Sequence, residues 1–147
     1  MLVLMGRSCT GKDTIAKGIE DLNFHRVVTY TTRPPRETEK DNVDYNFISD
    51  EEFDEKIEEG FFAEYREYDT ANGVWKYGSA KESYSGDGVI ILSPSGVKKV
   101  LETLHNITVV LIDADDEVIK ERQRLRGDDP KESERRFVQD IIDFKGM

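Results

Sequence analysis

The chain has 147 residues, 35% of them charged, with a formal net charge of −10 at neutral pH. That surplus of acid argues against general binding to nucleic acid or anionic membranes, and no apolar run approaches the roughly 20 residues of a membrane-spanning helix. The 37% hydrophobic share suits one compact domain, and the lone Cys9 excludes an internal disulfide and points to a reducing cytoplasm.

The elements follow in chain order. Met1–Met5 is a short apolar run without a basic leader, a buried strand and not a signal peptide. Gly6–Lys12 is a glycine-bounded loop, and Asp13–Leu22 is a helix with Ile15, Ile19 and Leu22 on one face. Arg26–Thr29 is a second strand. Tyr30–Asn42 is a polar loop stiffened by Pro34 and Pro35, and Val43–Ile48 alternates like a half-buried strand. Ser49 to Glu52 forms a capping box for a helix that Gly60 ends. Phe61–Tyr68 and Val74–Tyr77 are strands joined by an Asn72-Gly73 hairpin turn, and Ser79 to Glu82 repeats the capping-box pattern. Val89–Leu92 and Ile107–Ile112 are buried strands flanking a helix over Ser95–Leu104. Asp115 caps a helix to about Leu125, Gly127–Pro130 breaks the chain, and Lys131–Phe144 is helical again.

Continuous apolar strands alternating with helices imply an α/β fold, a parallel sheet covered on both faces. The stretch from about 30 to 82 is an insert with its own small sheet. Charge is uneven as well. Residues 41–70 hold two basic and twelve acidic side chains, which suits a solvated face, whereas residues 1–40 hold seven basic and five acidic ones.

Gly6-Arg7-Ser8-Cys9-Thr10-Gly11-Lys12 has the spacing G-x-x-x-x-G-K between a strand and a helix. Glycines let backbone N–H groups turn inward as an anion nest, and the helix N-terminus adds positive partial charge. Lys12 then reaches the β and γ phosphates of a bound nucleotide. The usual Ser or Thr after the lysine is replaced by Asp13, followed by Thr14. Asp13 suits Mg²⁺, directly or through water, and equally suits the first turn of a helix as an acid favoured by the dipole.

Thr31-Thr32-Arg33-Pro34-Pro35-Arg36, followed by Asp44-Tyr45-Asn46-Phe47, is the second constellation. Two arginines three apart on a stiff loop can clamp one phosphate, and a tyrosine hydroxyl can complete the clamp. With the phosphate loop before it, this pattern resembles the guanylate kinase family, which has a glycine-rich loop, then T-T-R-x-x-R, then D-Y-x-F. The resemblance covers nearly the whole chain. It implies a single domain over 1–147: a P-loop NTPase core of three layers around a parallel sheet (1–29 and 83–116), an inserted small mixed or antiparallel sheet that binds the nucleoside monophosphate (30–82), and a helical lid at about 117–137.

The activity implied is transfer of the γ-phosphate of ATP to GMP or dGMP, with Mg²⁺ as cofactor. By resemblance Gly6, Ser8, Cys9, Thr10, Gly11, Lys12, Asp13 and Thr14 take the ATP phosphates, and Asp13 or Thr14 takes the metal. Arg33, Arg36, Tyr45 and Tyr77 match the residues that hold the GMP phosphate. Thr29, Glu64, Ser79 and Ser93 fall at guanine contacts, with Glu64 the carboxylate that accepts from N1–H and N2–H₂. Lys12, Arg33, Arg126 and Arg136 are the expected catalytic cations, the last two arriving by lid closure.

Three features depart from the pattern. Cys9 stands where the family has Gly, and Asp13 where it has Ser or Gly. Ser93-Pro94-Ser95-Gly96-Val97 replaces an acidic D-x-D-x-Q-G-V segment, which weakens the metal and base subsites. The family also continues to a further strand and helix past the point where this sequence stops. Two other readings follow from these departures: a small-molecule kinase similar to ribose 1,5-bisphosphate phosphokinases, and a guanylate-kinase-like binding module without catalysis.

Overall fold

The computed structural model describes residues 1–145. Two four-stranded sheets organise the chain. The first is wholly parallel, in the order β2 (His25–Arg26), β7 (Gly88–Ile91), β1 (Leu2–Met5), β8 (Thr108–Leu111). Its side chains alternate between two apolar layers. Val3, Met5, Ile90 and Leu92 pack toward Val97 and Val100 of α3 (Pro94–Thr103), while Leu4 and Val89 pack toward Ala16 of α1 (Lys12–Glu20). Burial on both faces explains why these strands are continuous apolar runs. β8 is an edge strand with Val110 and Leu111 exposed.

The second sheet runs β4 (Asn46–Phe47), β3 (Tyr30–Thr31), β6 (Gly73–Ala80), β5 (Phe62–Thr70), with β3–β4 parallel and the other pairings antiparallel. α2 (Asp50–Glu58) meets it through Phe53, which is fully buried and stacks on Phe62, and α3 packs along β5. Ser49 caps α2 by accepting the Glu52 amide, as the capping box requires. Glu59 then closes the helix and Gly60 follows at φ 71°.

Some boundaries differ from the sequence reading. Tyr30–Thr31 is a strand and not part of a loop, because it finds partners in β4 and β6 far along the chain. The Ser79–Glu82 capping box does not form. Ser79 is the penultimate residue of β6, and Lys81–Tyr84 is a short 3-10 turn without a side-chain cap. Asp115 precedes α4 (Asp116–Arg126) but makes no capping hydrogen bond with its side chain. Gly127, at φ 80°, ends α4 by returning its amide to the Arg124 carbonyl. α5 (Pro130–Asp143) starts afresh under an Asp129 cap.

Candidate functional site

The central parallel strand β1 delivers Gly6 at its carboxyl end, where open α/β sheets place ligand crevices. Gly6 has no room for a side chain: a Cβ there would stand 2.9 Å from the Thr10 hydroxyl. Cys9 adopts φ 61°, a conformation that suits Gly, and Gly11 at φ 98° caps α1. Arg7 ties the loop to the β8–α4 junction through Asp113, Asp116 and the Ala114 carbonyl.

A cavity of about 250 Å³ opens in front of this loop, and Ser8, Cys9, Lys12 and Asp13 line it. Arg33, Arg36, Tyr45 and Tyr77 line the same cavity, as do Thr29 and Ser93. Arg126 and Arg136 complete the wall from the helical pair. The two expected anion pockets therefore share one cleft. Arg26, Arg66 and Arg135 face it too, a concentration of cationic groups in a chain that is acidic overall.

Lys12 donates to the carbonyls of Gly6 (2.6 Å) and Arg7 (2.7 Å), and burial lowers its pKa. One amide of the loop already has an internal carboxyl partner: the Ser8 N–H donates to Asp140 of α5 at 2.8 Å. Burial raises the Asp140 pKa, although that amide and the Lys12 charge pull the other way. Asp13 is exposed and paired with Arg26. Thr10 is buried and bonds the Arg7 carbonyl, and Thr14 is exposed on α1, so neither lines the cleft.

In the opposite pocket Arg33 is only 3% exposed. Its fork meets Glu39 in two bonds of 2.8 Å, and its guanidinium lies 5.3 Å from the Tyr45 ring centre. Burial works against the Arg33 charge, but the Glu39 bonds outweigh it and the pKa rises. Glu39 also accepts the Arg36 amide at 2.7 Å and so pins the turn carrying both arginines. The Arg36 pKa falls because the group is buried and lies close to Arg33, Arg136 and Arg126. Three of these four arginines have an internal carboxylate partner, Glu39, Asp128 or Glu132, so an entering polyanion would compete with those pairs for their guanidinium groups.

On the lid side, Arg126 pairs with Asp128, and Arg136 with Glu132 at 3.2 Å. Glu132 also accepts the Ala71 amide, so α5 touches the hairpin tip of the insert. Arg135 pairs with Glu132 at 2.6 Å, and Arg122 donates to the Cys9 carbonyl. Arg124 pairs with Glu121 in solvent.

Two expected contacts are placed otherwise. Glu64 and Ser79 do not line the cleft but lie behind its wall, 2% and 0% exposed. One Glu64 oxygen accepts from Ser79 at 2.9 Å and the other from Arg66 at 2.7 Å. Ser93 reaches the cleft, but its hydroxyl caps α3 by accepting the Gly96 amide. Among the described residues no group of three or more His, Cys, Asp or Glu could hold a metal ion.

The sequence reading missed Arg26, Glu39, Arg66 and Asp140. Glu39 lies three residues after Arg36, within reach inside one turn. Arg66 shares a strand face with Glu64 at the period-two spacing, a signal that was available. Asp140 has no local signal, since its role arises from how α5 packs on the loop.

A glycine-bounded loop between the central parallel strand and a helix, its lysine facing a converging set of arginines, defines a P-loop kinase fold. Comparison with known proteins agrees. A guanylate kinase family model matches residues 1–142. Guanylate kinase of Helicobacter pylori is 35% identical over 144 residues, covering 94% of this chain and 70% of the relative. That of Clostridioides difficile is 35% identical over 143 residues, covering 93% and 70%. A crystal structure of guanylate kinase from Anaplasma phagocytophilum matches the fold with a TM-score of 0.68 at 23% identity, over 97% of this chain and 72% of that one. The chain belongs to the guanylate kinase family. No helix among the described residues is long and apolar enough to cross a membrane.

Proposed function

We propose that this chain transfers the γ-phosphate of ATP to GMP or dGMP, giving ADP and GDP or dGDP. The observation that carries the reading is the shared cleft, lined both by Lys12 with its loop and by Arg33, Arg36 and Tyr45. ATP phosphates take the loop amides, that of Ser8 in place of Asp140 among them, and the acceptor phosphate takes the arginine pocket. Arg126 and Arg136 exchange Asp128 and Glu132 for the oxygens of the transferring group. Such a transition state spreads charge over its oxygens, and converging guanidinium groups stabilise it.

The segment at about 117–137 moves as a lid, since its arginines are held by internal partners they must release. Mg²⁺ bound with ATP neutralises charge on the β and γ phosphates. Asp13, exposed at the cleft beside Lys12, is the residue of this chain that would hold it; one carboxylate together with phosphate oxygens is a usual Mg²⁺ environment.

The test is a coupled assay of ADP release with ATP and titrated Mg²⁺ against GMP, dGMP, AMP, UMP and ribose 1,5-bisphosphate. The expected result is turnover that is fastest with GMP or dGMP. A preference for ribose 1,5-bisphosphate favours the sugar kinase reading, and no nucleotide binding by calorimetry favours a binding module.

A further inference from the structure

Glu64 of β5 carries a carboxyl group whose side chain is only 1% exposed. Burying such a charge is costly unless a partner of opposite sign comes with it. Three groups touch the carboxyl. The Ser79 hydroxyl donates to Oε1 at 2.9 Å and is itself held by the Tyr84 hydroxyl at 2.6 Å. Gly96 of α3 lies so close that a Cβ there would stand 3.1 Å from Oε2. Arg66 donates to Oε2 at 2.7 Å. The first two are neutral, so Arg66 is the one cation bonded to Glu64 among the described residues. Burial works against the Arg66 charge, but Glu64 outweighs it and the pKa rises. The period of two along β5 puts both residues on one face, and the Tyr77 ring, 5.7 Å away, supports the guanidinium from another side. Ser79 and Arg66 take one position on each Glu64 oxygen. A carboxylate has about four such positions, so each oxygen keeps acceptor capacity for a second donor.

We propose that Arg66 is a positioning residue for this carboxylate: it balances the Glu64 charge and fixes its plane, so that Glu64 accepts the N1–H and N2–H₂ of guanine while Arg66 itself touches no base. This rests on the nucleotide kinase reading above. Glu64 lies behind the wall that Arg66 lines, so the base reaches it by a shift of side chains in that wall. The Arg66 bond keeps the acid from turning away as that happens. Recognition of guanine then depends on a charge two places along the strand from the residue that makes the contact.

The experiment compares GMP with IMP on the full chain, by kcat and KM and by calorimetry. IMP keeps N1–H but lacks the N2 amino group. The proteins are the parent, Arg66→Gln, Arg66→Lys, Glu64→Gln and the double variant Arg66→Gln/Glu64→Gln. The parent should prefer GMP by about tenfold, the scale of one hydrogen bond to a charged group. Arg66→Gln should raise KM for GMP by about the same factor and erase most of that preference, with kcat and the KM for ATP within about threefold of the parent. Arg66→Lys keeps the charge and should keep most of the preference. The double variant should be no worse than Glu64→Gln, because residues acting as one unit do not add. An unchanged preference in Arg66→Gln overturns the proposal, as do losses that add in the double variant. Should Arg66→Gln fail to fold, Arg66→Lys and the double variant, which leave no lone buried charge, decide by the same two comparisons. The expected binding pattern without turnover in the parent removes the kinase reading alone. Turnover without any preference for GMP over IMP removes the Arg66 assignment alone.

Discussion

Lys12 folds its ammonium onto two carbonyls of its own loop, which leaves one of its three donors for a phosphate. Lys12→Ala is expected to lower kcat on the order of 10²–10³-fold, the usual scale for removing one charge-stabilising donor, with GMP affinity by calorimetry unchanged; full turnover would remove the loop from the chemistry. Cys9 sits at φ 61°, where a β-branched side chain is strained. Cys9→Val should be about 1–2 kcal/mol less stable than Cys9→Gly in urea unfolding. Glu39 makes a sign-definite pH prediction. Burial raises its pKa, but the Arg33 and Arg36 contacts outweigh that and hold it below its ordinary value of 4.5. The folded-state pKa is depressed, so the stabilisation is complete above the unfolded-state pKa and is lost as pH falls through the lower, folded one. Glu39→Gln should cost about 1.5–3 kcal/mol at neutral pH and lose less stability than the parent on acidification, as read by denaturant midpoints across pH 3–6.

At the scale of elements, α5 is the part that both completes and obstructs the cleft. It brings Arg136 to the wall while its Asp140 takes a loop amide, that of Ser8, which the proposed reading gives to the ATP phosphates. Asp140→Asn keeps the helix but removes the competing charge. ATP should then bind about tenfold tighter, the scale of one charge-assisted bond, and unchanged affinity would mean the nest is not where the phosphates go. The motifs carried by contiguous residues, Gly6 to Lys12 and Arg33 to Arg36, were legible in the sequence because their chemistry lies in local spacing. Tyr30–Thr31 and the end of β6 were not. A two-residue strand is decided by partners that sequence periodicity does not see. Ser79 has the side chain of a helix cap, yet it sits in a strand that gives its hydroxyl to Glu64.

Over the whole molecule, a parallel sheet and a mixed sheet bring two cationic pockets to one opening. Glu64 and Arg66 alternate on one strand face, but only the packing of α3 against β5 reveals that the acid is inside and the arginine outside. In the proposed reaction donor and acceptor phosphates meet in this single cleft. That meeting is tested most directly by titrating the chain with one molecule that fills both pockets, adenosine and guanosine joined 5′ to 5′ through five phosphates, by calorimetry. One molecule should bind per chain, displace both ATP and GMP, and lose affinity in both Lys12→Ala and Arg36→Ala. Two molecules per chain, or displacement of only one nucleotide, would contradict the shared cleft.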